Sequence, residues 1–159
     1  MRELVELVTN ELNKQGLMLA TAESCTGGMI AAAMTERAGS SSVFERGFVT
    51  YSNDSKQELL DVSREILEKH GAVSAEAATA MVQGVLDHSH ANMAISVTGI
   101  AGPSGGTPEK PVGLVYIGWG RKGGKPESAR YVFSGDRASV RKQSAETALK
   151  NILHFLQTK

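Results

Sequence analysis

The sequence predicts an α/β protein, a three-layer α/β/α sandwich around a mixed sheet of about five strands. Three observations carry that expectation. Apolar residues recur at helical spacing in the first and last segments, and short β-branched runs alternate with further helical stretches between them. Two late strand-like runs, Val112–Trp119 and Ser128–Phe133, flank the glycine-rich turn Gly120–Gly124 and read as an antiparallel hairpin. Parallel strands need crossover helices and a hairpin does not, so the two patterns together imply a mixed sheet covered by helices on both faces. The 159 residues are expected to form a single domain over 1–159.

The opening stretch Met1–Lys14 puts Leu4, Val5, Val8 and Leu12 on one face, and Gly16 stops it. Leu17–Thr21 has a strand's length. After Ala22-Glu23-Ser24-Cys25-Thr26-Gly27-Gly28 a helix is expected over Met29–Arg37, and Gly39 with three serines marks a loop. Phe44–Tyr51 is rich in aromatic and β-branched residues and reads as a strand. Asn53 is placed to cap a short helix carrying Leu59 and Leu60, with a second helix over Ser63–His70 ended by Gly71. Ser74 caps Ala75–Leu86, whose Ala78, Met81, Val82 and Val85 form a stripe. Asn92–Thr98 is a strand entering a glycine-rich loop. The last helix starts near Asp136 and carries Ala145, Ala148, Leu149, Ile152, Leu153 and Leu156 at the 3.6-residue period.

Charge narrows the function. Seventeen basic side chains balance seventeen acidic ones, which argues against a wholly basic nucleic-acid binder, an acidic tail or a polybasic membrane anchor. The balance hides a net −6 over residues 1–118 and +6 over 119–159, mostly solvated surface on this reading. One cysteine excludes an internal disulfide framework and fits a reducing compartment. There is no long apolar run, and Glu3 and Glu6 stand where a signal peptide would be basic and then apolar, so a cytoplasmic protein is expected.

Four places could carry chemistry. Ser24-Cys25-Thr26-Gly27-Gly28 lies between a strand end and a helix start, where a serine can be presented as nucleophile and free N–H groups can take an anion. The plainer alternative is that Thr26 caps the helix and the glycines only pack. Lys56 shares a face with Leu59 and Leu60. A lysine there either snorkels or, desolvated, serves as a base for a serine. Arg141 begins the apolar stripe of the last helix and is a candidate fork for phosphate or carboxylate, with Arg137 one turn earlier as the weaker candidate. Finally, Val97-Thr98-Gly99-Ile100-Ala101-Gly102-Pro103 makes a backbone-rich rim.

Other matches fail on context. Gly118–Gly123 satisfies G-x-G-x-x-G but precedes a hairpin strand and not a helix. Ser139–Lys142 satisfies S-x-x-K without a companion K-T-G. His88 and His90 do not share a helical face, so no metal site is expected. Cys25 rivals Ser24 as nucleophile, although a small buried thiol is the commoner fate.

Five segments in order carry a resemblance over nearly the whole chain: Ala22–Gly28, Gly47–Asn53 with Lys56, Gly71–Ser74, Val97–Pro103 and Lys110–Gly113. They resemble the competence/damage-inducible CinA carboxyl-terminal domain family, whose enzymes are nicotinamide-nucleotide amidohydrolases. The chain looks like the stand-alone form, without the additional amino-terminal domain of the fuller proteins. The resemblance implies hydrolysis of the carboxamide of nicotinamide mononucleotide to nicotinate mononucleotide and ammonia, in pyridine-nucleotide salvage. It places the nucleophile on Ser24 and its lysine partner on Lys56, both catalytic. Tyr51, Thr98 and Arg141 would bind substrate, with Thr26, Gly27, Gly28 and Gly99 supplying backbone around it. No cofactor or metal is implied. The partner is a small-molecule mononucleotide, with no membrane, no expected nucleic acid and a homo-oligomer left open.

Overall fold

The computed structural model describes residues 1–158. Its elements are α1 (Arg2–Gln15), β1 (Leu19–Glu23), α2 (Met29–Thr35), a 3₁₀ turn at Ser40–Ser42, β2 (Phe44–Val49), α3 (Asn53–Leu60), α4 (Arg64–His70), α5 (Ala75–Asp87), β3 (Met93–Gly99), β4 (Leu114–Arg121), β5 (Glu127–Val132) and α6 (Arg137–Thr158). The five strands form one sheet in the order β2-β1-β3-β4-β5. β1 runs parallel to both β2 and β3, while β4 and β5 are antiparallel additions. The mixed sheet expected from the hairpin is present.

Two cores cover the two faces. On one, Val5, Val8 and Leu12 of α1, Ile30 and Met34 of α2, and Ala145, Leu149 and Ile152 of α6 pack on Leu19, Ile95 and Ile117. On the other, Met81, Val82 and Val85 of α5 join Leu60, Val62 and Leu67 against Ala20, Ala22 and Ala94. Small residues on that side of β1 and β3 let α5 lie close to the sheet. Gly84 then lets α3 approach α5, because a Cβ there would stand 2.1 Å from the Leu60 carbonyl oxygen. That contact fixes the height of α3, and Lys56 lies on it one turn before Leu60.

Several boundaries differ from the sequence expectation for local reasons. β1 starts at Leu19 and not Leu17, because the Leu17 and Gly16 N–H groups return to the Leu12 and Asn13 carbonyls to close the end of α1. The cap of α3 is Ser52, whose Oγ accepts the Ser55 N–H at 3.0 Å, which releases the Asn53 side chain. Asp136 does cap α6, its carboxylate accepting the Ser139 N–H at 2.8 Å.

The topology also sets the site. From β1 the chain crosses by α2 to β2 at one edge, then by α3–α5 to β3 on the other side of β1. The strand order therefore reverses at β1, and such a reversal leaves a crevice beyond the carboxyl ends of the strands. Ser24, Thr50 and Gly99 all stand at those ends.

Candidate active site

Ser24 follows the last residue of β1, and its N–H is held by the Val97 carbonyl of β3 at 2.9 Å. The chain then turns tightly, with the Gly27 N–H on the Ser24 carbonyl at 3.0 Å. Gly27 and Gly28 both have positive φ, 59° and 106°, which glycine adopts without strain. Glu23 is buried beneath this turn. Its carboxylate accepts from the Thr26 hydroxyl (2.8 Å), the Ile30 N–H (2.8 Å) and the Ala31 N–H (3.1 Å). The helix amino terminus that the sequence offered to an external anion is therefore already occupied by a carboxylate of the chain itself.

Lys56 is 1% exposed, so it does not snorkel. Its Nζ lies 3.1 Å from Ser24 Oγ, 2.8 Å from the Thr50 carbonyl oxygen and 3.2 Å from the Tyr51 carbonyl oxygen. Burial pushes its pKa down from 10.5 to about 8, opposed by Coulombic attraction to Cys25. Among the described residues no carboxylate accepts from Nζ. A neutral amine has two N–H donors and one lone pair, which match two carbonyls and one serine hydroxyl. In that state the Ser24 hydroxyl donates to Nζ.

These groups open onto a cavity of about 340 Å³ lined also by Cys25, Tyr51, Asn53, Ala72, Val73, Thr98, Gly99 and Arg137. Thr98 donates its hydroxyl to the Ala72 carbonyl at 2.7 Å, tying β3 to the α4–α5 wall. Tyr51 is 61% exposed, which leaves its ring available to a ligand. Arg137 spans the mouth, donating from Nη1 to the Gly102 carbonyl (2.8 Å) and from Nη2 to the Tyr51 hydroxyl (3.3 Å). Cys25 is buried, and burial raises its thiol to about 11, well above the range of a reactive thiolate. A second cleft, between α1 and α2, has its charges committed to the ion pairs Arg2–Glu36 and Arg37–Glu6. Among the described residues no three His, Cys, Asp or Glu side chains gather as metal ligands, and no helix is long and apolar enough to cross a membrane.

The comparisons with known proteins agree with one another. A family model described as the CinA C-terminal domain matches residues 1–156. The chain belongs to that family. It is 50% identical over 153 residues to the nicotinamide-nucleotide amidohydrolase PncC of Enterobacter agglomerans, covering 96% of this chain and 93% of that one. It is 46% identical over 156 residues to the protein of the same name from Escherichia coli K12, covering 98% and 94%. A CinA-like protein of Akkermansia muciniphila is 46% identical over 94% of this chain, which spans only 36% of that longer protein. Among solved structures, the competence/damage inducible protein CihA from Agrobacterium tumefaciens superposes with a TM-score of 0.94 at 46% identity, covering 99% of this chain and 95% of that one.

Of the residues expected from the CinA resemblance, Ser24, Lys56, Tyr51, Thr98 and Gly99 all line one cavity. Thr26, Gly27 and Gly28 shape the turn behind Ser24 but do not line it. Arg141 is displaced from its expected place. Its Nε and Nη2 donate to the Cys25 and Thr26 carbonyls at 3.0 and 3.2 Å, behind the turn, and Arg137 is the arginine on the cavity. Both lie on one face of α6, but only the earlier residue reaches past the turn to the mouth. Glu23 and Asn53 fall within the motif segments, but the sequence reading assigns neither a role in the site. The signal for Glu23 was a charged residue closing an otherwise apolar strand.

Proposed function

We propose that this CinA-family protein hydrolyses the carboxamide of nicotinamide mononucleotide to nicotinate mononucleotide and ammonia, in pyridine-nucleotide salvage, and that residues 1–159 form the single domain that does so. The observation that carries the reading is the buried Lys56 amine 3.1 Å from Ser24 Oγ. Two relatives named for this amide hydrolysis, each matched over nearly its full length, supply the substrate.

Ser24 Oγ attacks the carboxamide carbon while its proton passes to neutral Lys56. The new Oγ–C bond pushes the carbonyl electrons onto oxygen, and the N–H groups of the turn after Ser24 stabilise that oxyanion. The C–N bond then breaks, the proton returning from Lys56 to the departing ammonia. Water, activated by the same amine, hydrolyses the acyl ester and restores Ser24. Tyr51 packs on the pyridine ring, Thr98 and Gly99 form the rim beside it, and the guanidinium of Arg137 takes the phosphate. The sequence reading gave the anion to Arg141. Arg141 spends its Nε and one Nη2 hydrogen on the Ser24 turn and does not line the cavity, whereas Arg137 does, so Arg137 replaces it here.

Purified protein incubated with nicotinamide mononucleotide in the presence of a chelator tests the reading. Ammonia and nicotinate mononucleotide are expected in equal amounts. Saturable binding without ammonia release would replace the enzyme with a nucleotide-binding module.

A further inference from the structure

A carboxamide is planar and presents an acceptor, its oxygen, beside a donor, its N–H. One backbone peptide cannot match both, because in a trans peptide the N–H and the C=O point opposite ways. A primary side-chain amide can, since its Oδ1 stands beside an N–H of Nδ2. Among the described residues that line the cavity, Asn53 is the one side-chain amide. It is the first residue of α3, yet the capping is done by Ser52, whose Oγ accepts the Ser55 N–H at 3.0 Å. The Asn53 carbonyl accepts from the Gln57 side chain, and among the described residues the Asn53 side-chain amide has no partner. Asn53 stands three residues before Lys56, so the two share a helix face with Cβ atoms about 5–6 Å apart. The Lys56 chain runs back toward the start of α3, where Nζ meets the Thr50 and Tyr51 carbonyls at 2.8 and 3.2 Å and Ser24 Oγ at 3.1 Å. The amine and Ser24 Oγ are therefore level with the turn that Asn53 begins. A carboxamide carbon poised about 3–3.5 Å from Ser24 Oγ sits in that same layer of the cavity.

We propose that Asn53 selects the amide over the acid, its Nδ2–H donating to the carboxamide oxygen and its Oδ1 accepting from the carboxamide N–H. This rests on the reading that Ser24 attacks the carboxamide of a nicotinamide nucleotide. When the C–N bond breaks, the –NH2 leaves as ammonia with the proton from Lys56, and the donor to Oδ1 goes with it. Water then supplies the oxygen that takes its place. One water proton returns to Ser24 Oγ through Lys56 and the other goes to solvent, leaving a carboxylate. That carboxylate faces Oδ1 oxygen to oxygen, so the side chain that admits the amide repels the acid.

The affinities of nicotinamide mononucleotide and nicotinate mononucleotide, measured by calorimetry at pH 9 in a Ser24→Ala background, test this. Ser24→Ala prevents turnover. Burial holds Lys56 at about 8, so at pH 9 the amine is largely neutral and adds no charge that would favour the acid. Adding Asn53→Ala should weaken the amide nucleotide about tenfold and leave the acid nucleotide unchanged or tighter, so the preference for amide over acid falls by at least that factor. Asn53→Asp has the same shape, and an acidic residue suits the first turn of a helix, so it serves if the alanine variant does not fold. It should weaken the amide nucleotide, which loses the Nδ2–H donor, and weaken the acid nucleotide further still, which meets a like charge. A residue that only scaffolds, or that holds the ribose common to both nucleotides, would weaken the two alike. Equal losses for the two nucleotides in the folded variants therefore overturn the proposal, as do affinities unchanged for both. In those cases the parent still binds the amide nucleotide and the proposed substrate stands. A parent that binds neither nucleotide overturns the proposal and the proposed substrate together.

Discussion

Replacing Lys56 with methionine removes the amine while keeping the length of a side chain packed between α3 and the sheet. The folded state lowers the pKa of Lys56 from 10.5 to about 8 by burying it. At 1.36 kcal/mol per pKa unit, holding the proton there costs about 3 kcal/mol at neutral pH relative to the unfolded chain. Below pH 8 both states carry the proton and the whole penalty applies. Between 8 and 10.5 the folded amine is neutral while the unfolded one stays charged, so the penalty shrinks, and above 10.5 it is gone. Wild-type stability therefore rises with pH through that window. Methionine removes the penalty but leaves the Thr50 and Tyr51 carbonyls without their donor, at about 1 kcal/mol each. The variant should be inactive and about 1 kcal/mol more stable than wild type at pH 7. By pH 9.5 the difference should have moved by about 2 kcal/mol in favour of wild type. Urea denaturation of both proteins at the two pH values measures this. A stability difference independent of pH, or a variant some 3 kcal/mol less stable at pH 7, would show that the lysine charge is compensated in the fold and refute the reasoning.

The same burial predicts the pH dependence of turnover. If neutral Lys56 is the base, kcat/KM rises about tenfold per pH unit and levels off near pH 8, and a profile flat from pH 6 to 9 contradicts it. Arg137→Ala should raise KM for nicotinamide mononucleotide by about 10- to 100-fold with little change in kcat, since it removes the exposed charge at the mouth that is proposed to pair with phosphate. Steady-state kinetics read that split. Gly84→Ala should destabilise the fold by roughly 1–3 kcal/mol and lower activity, because the new Cβ meets the Leu60 backbone and lifts the helix that carries Lys56. A raised urea midpoint would show that only helix propensity had changed.

Much of this arrangement was legible in the sequence because the relevant signals are periodic or local. The face shared by Lys56 and Leu60 (Leu59, expected on it too, is exposed), the stripe of α5 and the hairpin of β4 and β5 follow from residue spacing and glycine placement alone. Depth along an axis is not encoded that way. Arg137 and Arg141 are one turn apart on the same helix face. Which one reaches the cavity depends on how far the Ser24 turn rises beside α6, a tertiary quantity. The role of Glu23 was hidden for a related reason, although its charge at the strand end was visible. Its role is to accept N–H groups of α2 from below, and that pairing exists only once β1 and α2 are docked. Leu17 could stand in a strand or close a helix, and its N–H bond to Leu12 decided for the helix.

Ammonia release from nicotinamide mononucleotide by wild type and by Ser24→Ala, measured side by side on folded protein with a chelator present, tests the account most directly. Wild type should release ammonia in step with nicotinate mononucleotide, and Ser24→Ala should release none above the buffer blank. Ammonia from Ser24→Ala at a rate near that of wild type would contradict the assignment of Ser24 as nucleophile and, with it, the role given to Lys56.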